Sequence, residues 1–224
     1  MSFKRLGRYV SVGAATIVFA AGLQAPASAV TSTVALWHMD ETSGSVMHDS
    51  SGHGNDGALH NVALGQLSPH GYAYGFNGKS SYVKVPNSPS LNPGSAGLTI
   101  TMNLKFTQLP ANDADYDLLR KGLAGTAGGD FKIEIRDNGM AFCRFRGSSG
   151  AATLRKGPHL QDGNWHTLQC VKTDTTIQLV IDGVTYSKAA VVGSISNSSD
   201  VIVGAKPGDD FYNGLLDEVV VAVG

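Results

Sequence analysis

The sequence lacks the features that define several classes of protein. Its apolar residues show no convincing helical repeat in any segment, which argues against a helical fold. Beyond the first 29 residues, no apolar run is long enough to span a membrane. The 17 Lys and Arg residues are matched by 18 Asp and Glu residues, so the chain lacks the basic excess that a nucleic-acid partner requires.

The first 29 residues predict a secretory signal peptide. Basic residues stand in the first eight positions, an apolar run covers residues 10–23, and the small-residue sequence Ala-Ser-Ala ends at Ala29. The apolar run is too short and too rich in Gly and Ala for a membrane span. We therefore expect residues 30–224 to form the mature, secreted protein, with 14 basic against 18 acidic residues and a net charge of −4.

The mature chain is dominated by strand-like alternation of apolar and polar residues. In the stretch LTITMNLKFTQL, residues 98–109, the apolar side chains Ile100, Met102, Leu104 and Phe106 fall on one side. Several other short segments alternate in the same way and end at Gly, Asn, Asp or Pro, and the chain contains 28 glycines. About 195 residues with this pattern predict one all-β domain, a two-sheet antiparallel sandwich or jelly roll.

The segment FKIEIRDNGMAFCRFRG, residues 131–147, predicts a β-hairpin whose register can be derived. A two-residue turn would place charged residues opposite apolar ones. A three-residue loop, Asp137 to Gly139 with Gly139 at positive φ, gives one wholly apolar face and should therefore be preferred. It pairs Phe131 with Phe145, Ile133 with Cys143, and Ile135 with Ala141.

The opposite face of this hairpin holds the candidate binding residues. Residues 120–156 contain eight Lys and Arg residues against three acids, a net charge of +5, so the rest of the mature chain sums to −9. A basic island in an acidic secreted protein indicates an anionic ligand, although a solvated strand face explains the pattern equally well. The candidate ligand-binding residues are Lys132, Glu134, Arg136, Phe142, Arg144 and Arg146.

The two cysteines predict one disulfide, because an exported chain folds in an oxidising environment. Cys143 lies on the apolar face of the hairpin, and Cys170 has the strand parity of the apolar Leu168. We expect both to point into the layer between the sheets or to be neighbours within one sheet. Two buried free thiols are the alternative.

Four stretches in order resemble one family. They are ALWHMDETSGSVMHDSSGHGNDGAL, YGFNGKSSYVKVP, DGNWHTLQCVKTDTTIQLVIDG and VIVGAKPGDDFYNGLLDEVVVAV. Together they resemble the laminin G-like, concanavalin A-like jelly rolls over nearly all of residues 34–223. The resemblance implies a free-standing jelly-roll domain over residues 30–224, with one of its two antiparallel sheets concave. This superfamily contains lectins, carbohydrate-binding modules, glycanases and polysaccharide lyases, so the fold does not fix the function.

The same resemblance implies a structural calcium ion that ties the loop after the first strand to the last strand. The oxygen-rich candidates for its ligands are Asp40, Asp49, Asn55 and Asp217. The alternative is a loop that only caps a turn through Asx-type hydrogen bonds. The histidines of this region match no short zinc motif, so we do not predict zinc.

No residue is assigned a catalytic role. A retaining glycanase needs two carboxylates about 5 Å apart on one strand face, and no strand offers such a pair. A lyase acting on uronates could use the hairpin cations against the substrate carboxylate, but it also needs a base. The available candidates for that base are Tyr116, His159 and Tyr212, and nothing in the sequence places one beside the arginines.

These features predict a secreted, lectin-like carbohydrate-binding domain with a structural calcium ion and one disulfide. Its ligand would be an anionic polysaccharide or another plant or microbial polysaccharide. A uronate lyase is the alternative enzyme, and a protein-binding or adhesion module is the third possibility.

Overall fold

The computed structural model describes Met1, residues 31–111 and residues 114–224. The predicted signal peptide lies outside the described residues. The described chain is built of β-strands, joined by turns and by one short 3₁₀ helix, Pro89–Leu91. No helix in this part of the chain is long and apolar enough to cross a membrane.

Eight strands form the first sheet. They are β1 (Ser32–Trp37), β4 (Ala63–Ser68), β5 (Gly71–Asn77), β7 (Leu98–Lys105), β12 (His166–Lys172), β13 (Thr176–Ile181), β14 (Val184–Ala189) and β16 (Asn213–Val223). Their order is β14-β13-β12-β7-β16-β5-β4, and β1 pairs with β16 beside that path.

Eight further strands form the second sheet. They are β2 (Val46–Met47), β3 (Gly57–His60), β6 (Tyr82–Val85), β8 (Tyr116–Lys121), β9 (Asp130–Ile135), β10 (Met140–Gly147), β11 (Gly150–His159) and β15 (Val201–Val203). Their order is β11-β10-β9-β8-β15-β6-β3-β2. Every strand pair described in the two sheets is antiparallel, so the predicted two-sheet antiparallel sandwich is confirmed.

The core lies between the two sheets and follows the predicted alternation. Along β7, Ile100, Met102 and Leu104 are fully buried, while the intervening threonines and Asn103 are partly exposed. The indole of Trp37 is also buried, and its Nε1 donates a hydrogen bond to the backbone oxygen of Asn55 at 2.8 Å. Burial of such side chains is the main favourable contribution to the stability of the sandwich.

The hairpin formed by β9 and β10 has the predicted register. Phe131 pairs with Phe145, Ile133 with Cys143 and Ile135 with Ala141, and all six side chains are buried. The turn requires glycine because Gly139 has a φ of 79°, and a Cβ there would lie 2.0 Å from Oε1 of Gln161. The opposite side chains of the hairpin therefore point away from the core.

A disulfide joins the two sheets through the core. Cys143 lies on β10 of the second sheet and Cys170 on β12 of the first, with 5.9 Å between their Cα atoms. The predicted bridge is thus present, and of the two predicted arrangements it is the one that spans the layer between the sheets.

Loss of this bridge should lower the free energy of unfolding by about 3.5 kcal/mol, because the cross-link closes a loop with a sequence separation of 27 residues in the unfolded chain. Urea unfolding of the oxidised protein and of the Cys143→Ala/Cys170→Ala variant measures the difference. The reduced wild-type protein is the control, since it loses the bridge without losing side-chain volume. Two thiols that react with a labelling reagent in the denatured, non-reduced protein would show that the bridge does not form.

Candidate functional site

The face of β9 and β10 that points away from the core gathers all six predicted ligand-binding residues. β9 contributes Lys132 and Glu134, Arg136 directly follows this strand, and β10 contributes Phe142, Arg144 and Arg146. In register, Phe142 lies opposite Glu134 and Arg144 lies opposite Lys132. We call this surface, together with Arg155 of β11, the cationic face. It forms because the side-chain period of a strand is two and the apolar half of each strand is buried.

The cations of this face are anchored by acids that lie beneath them. Glu134 is fully buried and forms ion pairs with Lys132 and, at 3.3 Å, with Nη1 of Arg136. Asp130, which is 2% exposed, accepts a hydrogen bond from Nε of Arg146 at 2.6 Å and lies 3.3 Å from Nε of Arg144. Each buried carboxylate therefore holds two cations, whose outer parts remain partly exposed. Paired in this way, a buried charge avoids the large cost of isolation.

Two further residues complete the charge balance of the face. Asp115 binds Nη1 of Arg136 at 2.6 Å, and Arg155 lies opposite Phe142 on β11, where it is exposed. Arg155 makes no ion pair within the described residues. Burial, reinforced by the charge of Glu134, raises the pKa of Asp115 to about 6. At neutral pH the face therefore has five cations against three carboxylates, a net charge of +2.

The aromatic ring of Phe142 lies between the cationic side chains of this face. Nζ of Lys132 is 5.7 Å from the ring centroid, and the guanidinium carbon of Arg136 is 5.3 Å from it. Both distances are in the range of cation–π interactions. A partly exposed ring between fixed hydrogen-bond donors is an arrangement that can stack against the C–H face of a sugar while the donors bind its oxygens.

A cleft of about 530 Å³ continues the same outward side of the second sheet. Its floor crosses three strands, where Arg120 of β8, Ile202 of β15 and Lys84 of β6 are neighbours in register. The segment 205–211 contributes one wall. Arg120 also lies opposite Lys132 of β9, so the cleft and the cationic face form one continuous surface.

An ion pair lies at the edge of the cleft floor. Nη1 of Arg120 is 3.0 Å from Oδ2 of Asp117, and the two side chains are 5% and 0% exposed. Burial raises the pKa of Asp117 to about 7, although the charge of Arg120 opposes that rise. Nε and Nη1 of Arg120 are buried and donate no hydrogen bond with good geometry to any described residue.

The predicted calcium residues do not form one cluster. Asp49 and Asn55 meet in the loop after β1, where Asp49 acts as a hydrogen-bond acceptor. Its Oδ1 accepts from the backbone N–H of Leu36 and of Ser51, both at 2.9 Å. Its Oδ2 accepts from the Ser51 hydroxyl at 2.8 Å and from the backbone N–H of Asn55 at 2.9 Å. Both carboxylate oxygens are thus occupied, as in the Asx-type alternative, and Asp49 does not fit a calcium ligand.

The carboxylate of Asp217, unlike that of Asp49, is not saturated with hydrogen bonds. Asp217 is fully buried on β16, and neither carboxylate oxygen has a hydrogen bond of good geometry among the described residues. Burial raises the pKa of Asp217, and the Ser68 hydroxyl and the backbone N–H of Glu218 beside the carboxylate offset part of that rise. A buried carboxylate without such a bond is costly, so Asp217 fits a cation ligand well.

Asp40 lies in the same region as Asp217. Its Oδ1 accepts the backbone N–H of Tyr72 at 2.7 Å, and its charge acts with that of Asp217 on His38. In the described chain, no group of three or more His, Cys, Asp or Glu side chains is arranged to hold a metal ion. Backbone carbonyls and water would have to supply most of the six to eight oxygens that calcium takes.

Of the candidate lyase bases, Tyr116 and Tyr212 lie away from the cationic face, while His159 lies opposite Met140 at its edge. The rings of Tyr116 and Tyr212 are packed in the core, 5.5 Å apart between centroids. The Tyr116 hydroxyl donates to the backbone oxygen of Leu109, and the Tyr212 hydroxyl to that of Lys105, both at 3.1 Å. His159 is exposed, and its Nδ1 contacts the backbone oxygen of Asn138.

Sequence reasoning missed part of the site. Asp130 could have been found, because the predicted register places it opposite Arg146. Arg155 lies on the next strand and was counted only as charge. The cleft, Asp115 and the pair of Asp117 with Arg120 had no signal in the sequence, since they depend on how β8 is placed between β9 and β15.

Two antiparallel sheets packed face to face define a β-sandwich of the jelly-roll type. The family model described as the concanavalin A-like lectin/glucanases superfamily, Laminin_G_3, matches residues 77–222, and the chain belongs to this family. Among curated proteins, the chain is 28% identical to Neurexin 1 of Drosophila melanogaster over an alignment of 145 positions. That match includes 52% of this chain but spans only 8% of the length of the neurexin.

Solved structures show the same fold at low sequence identity. The binding domain of Paraclostridial Mosquitocidal Protein 1 has a TM-score of 0.68 and 18% identity, and the match covers 85% of this chain and 48% of that one. Domain 4 of AbnA, an extracellular arabinanase of family GH43 from Geobacillus stearothermophilus, solved with arabinotriose, has a TM-score of 0.63 and 18% identity. That match covers 87% of this chain and 93% of the arabinanase domain. Domains LG4-5 of the mouse laminin α1 chain have a TM-score of 0.54 and 21% identity, with 66% and 40% covered.

The Asp49→Ala variant should be less stable by roughly 2 kcal/mol or more, because four donors lose a charged acceptor. Burial alone would raise the pKa of Asp49. Hydrogen bonds from the backbone N–H groups of Leu36, Ser51 and Asn55 lower the pKa by more than burial raises it, so the net shift is downward. Its contribution is therefore present above the unfolded-state pKa of about 4 and is lost as the pH falls through the lower folded-state value.

Urea unfolding of wild type and variant between about pH 3 and pH 7 measures this difference. The two proteins should converge at the acidic end. The same experiment in EDTA is the control, because an acceptor role does not depend on metal. A difference that disappears in EDTA would show that Asp49 acts through an ion and not through these hydrogen bonds.

Proposed function

We propose that this chain is an extracellular carbohydrate-binding domain that binds its ligand along the cationic face. The observation that carries the proposal is Phe142, a partly exposed ring flanked by Lys132 and Arg136 over buried carboxylates. Stacking on the ring would supply apolar contact, and the fixed cations would supply charge-assisted hydrogen bonds. Because Asp130 and Glu134 are buried and the cations above them are partly exposed, the face favours an anionic polysaccharide.

The comparisons support a carbohydrate-binding or adhesion role. The arabinanase domain was solved with an arabinose oligosaccharide, and almost all of it is matched by this chain. The arabinanase is extracellular, which agrees with the predicted signal peptide and supports secretion. The neurexin and laminin matches agree with the alternative of an adhesion module. We favour the carbohydrate because the cationic face offers a stacking ring among fixed polar groups and no large apolar surface of the kind found at the centre of protein interfaces.

Binding to a panel of acidic and neutral polysaccharides tests the proposal. We expect acidic polysaccharides to bind and their affinity to fall as NaCl is raised from about 50 to about 500 mM, because exposed charges are screened. Arg155→Ala, Arg144→Ala and Phe142→Ala should each weaken binding by roughly threefold to tenfold.

Lys79→Ala is the matched control. Lys79 is an exposed lysine in the turn between β5 and β6, away from this face, so its removal changes net charge by the same amount. Equal losses in Lys79→Ala and Arg155→Ala would mean that only overall charge matters. Capture of a protein partner without any polysaccharide binding would support the adhesion module and overturn the carbohydrate proposal. Release of unsaturated uronates would show lyase activity.

We also propose that a structural calcium ion binds at Asp217, with Asp40 contributing from the loop after β1. Asp217 supports this site because its buried carboxylate has no hydrogen bond of good geometry in the described chain. Such an ion would neutralise the carboxylate and link the loop to the last strand. Asp49 and Asn55 would shape the loop through hydrogen bonds and would not bind the ion through the Asp49 carboxylate.

EDTA should lower the melting temperature of the wild-type protein relative to millimolar calcium by roughly 5 °C or more, because an ion that binds only the folded state stabilises it by mass action. Asp217→Asn should remove this difference. In EDTA the variant should be at least as stable as wild type, since an amide can be buried without an unpaired charge. Wild-type melting that is the same in calcium and in EDTA would exclude the ion.

A further inference from the structure

The cleft beside the cationic face has a nearly buried arginine, Arg120, at its floor. Arg120 lies at its base with only 4% of its surface exposed, between Ile202 on one side and Lys132 on the other. An arginine is charged at any pH at which the protein is folded, and burying its guanidinium without hydrogen-bond acceptors is costly. Burying Arg120 at this position therefore costs free energy unless a group in the cleft accepts hydrogen bonds from its guanidinium.

The partner that Arg120 has within the protein satisfies it incompletely. Nη1 of Arg120 lies 3.0 Å from Oδ2 of Asp117, and neither atom of this contact has hydrogen-bond geometry. Nε of Arg120 is likewise without an acceptor in the part of the chain described. Burial raises the pKa of Asp117 to about 7, so this carboxyl is a weaker counter-ion for Arg120 than an exposed aspartate would be.

The walls of the cleft combine an apolar side with charges that are already paired. Tyr82 stacks on His60 with 4.3 Å between ring centroids, and Phe211 and Leu123 line the cleft as well. Lys84 is held by Asp200 at 3.0 Å. Lys206 is similarly held by Asp209 and Asp210, at 3.0 and 2.9 Å.

We propose that this cleft binds one carboxylate-bearing sugar unit, with its carboxylate on Arg120 and the apolar face of its ring against Tyr82 and Ile202. The guanidinium suits this group because a carboxylate accepts strong, charge-assisted hydrogen bonds from it. The volume of about 530 Å³ is within the range of small-molecule sites. The inference rests on the proposed function, since it names the acidic unit of the polysaccharide that lies along the adjoining cationic face.

The lining acid Asp200 limits where the carboxylate can lie. Asp200 accepts the backbone N–H of Asn87 at 3.0 Å and pairs with Lys84, so it is fixed at the β6 side of the floor. A ligand carboxylate is repelled there and is directed toward β8, where Arg120 lies. A neutral sugar of the same shape would not be oriented by these charges, and it would leave the guanidinium donors of Arg120 without an anion.

Titration of the full chain with matched pairs of monosaccharides tests the proposal. The pairs are glucuronate with glucose and galacturonate with galactose, and binding is followed by chemical-shift changes of the backbone amides. We expect at least one uronate to shift the amides of the cleft and to bind roughly tenfold or more tightly than its neutral partner, because a charge-assisted pair with Arg120 is lost in the neutral sugar.

Two kinds of variant separate a ligand role of Arg120 from a structural one. Arg120→Gln should abolish the preference for the uronate. Where this variant is unstable because Asp117 remains buried, Asp117→Asn/Arg120→Gln removes both charges and replaces the single change. Ile202→Trp fills the cleft without altering any charge and should also block the monosaccharide, while Lys79→Ala, which changes a residue outside the cleft lining, should bind it as wild type does.

The outcomes distinguish this inference from the proposed function. Polysaccharide that binds and depends on Arg155, together with uronates that neither bind nor prefer the charged form, would overturn the cleft site and leave the cationic face intact. Uronates that bind the cleft while no polysaccharide binds would support the cleft and overturn the extended site. Equal binding of the uronate and the neutral sugar would refute the role of Arg120.

Discussion

The register of the hairpin formed by β9 and β10 is the constraint on which both the core and the binding surface depend. Since side chains alternate between the two faces of a strand, a shift of one residue would exchange every buried residue with its outward neighbour. The three-residue turn closed by Gly139 prevents that shift. The same register places Cys143 in the layer between the sheets, where it meets Cys170, and places Phe142 and the arginines outside.

The outward side of the second sheet shows how a small domain can hold many cations in fixed positions. Free lysine and arginine side chains on a surface lose considerable conformational entropy when they bind a ligand. Here Asp130 and Glu134 lie below the cations and orient them before any ligand arrives. The burial of these acids costs free energy, which several short ion pairs offset. Such a face is a preorganised surface, and this is why we assign binding to it.

Carboxylates of this protein are stabilised in three different ways, and each has a different consequence. Asp49 is stabilised by backbone and hydroxyl donors and organises a loop. Asp130 and Glu134 are stabilised by cations and organise a binding face. Asp217 has no hydrogen bond of good geometry in the described chain, and Asp117 has only an imperfect contact with Arg120. The two incompletely satisfied positions are the ones at which we propose an ion and a ligand, because a buried charge without a partner needs something from outside the chain.

The sequence by itself determined the all-β architecture, the hairpin register and the sharing of one face by six candidate residues. These features depend on alternation and on turn chemistry, which are local properties of the chain. Only the tertiary structure decided that Cys143 and Cys170 bridge opposite sheets and that segment 205–211 forms a cleft over Arg120. It also decided that the carboxylate of Asp49 is saturated with hydrogen bonds while that of Asp217 is not. These features depend on which distant strands become neighbours, as in the contact of His38 with Glu218, 180 residues apart in the chain. The alternation of apolar and polar residues predicts which way a side chain points, but it does not predict which distant residue that side chain contacts.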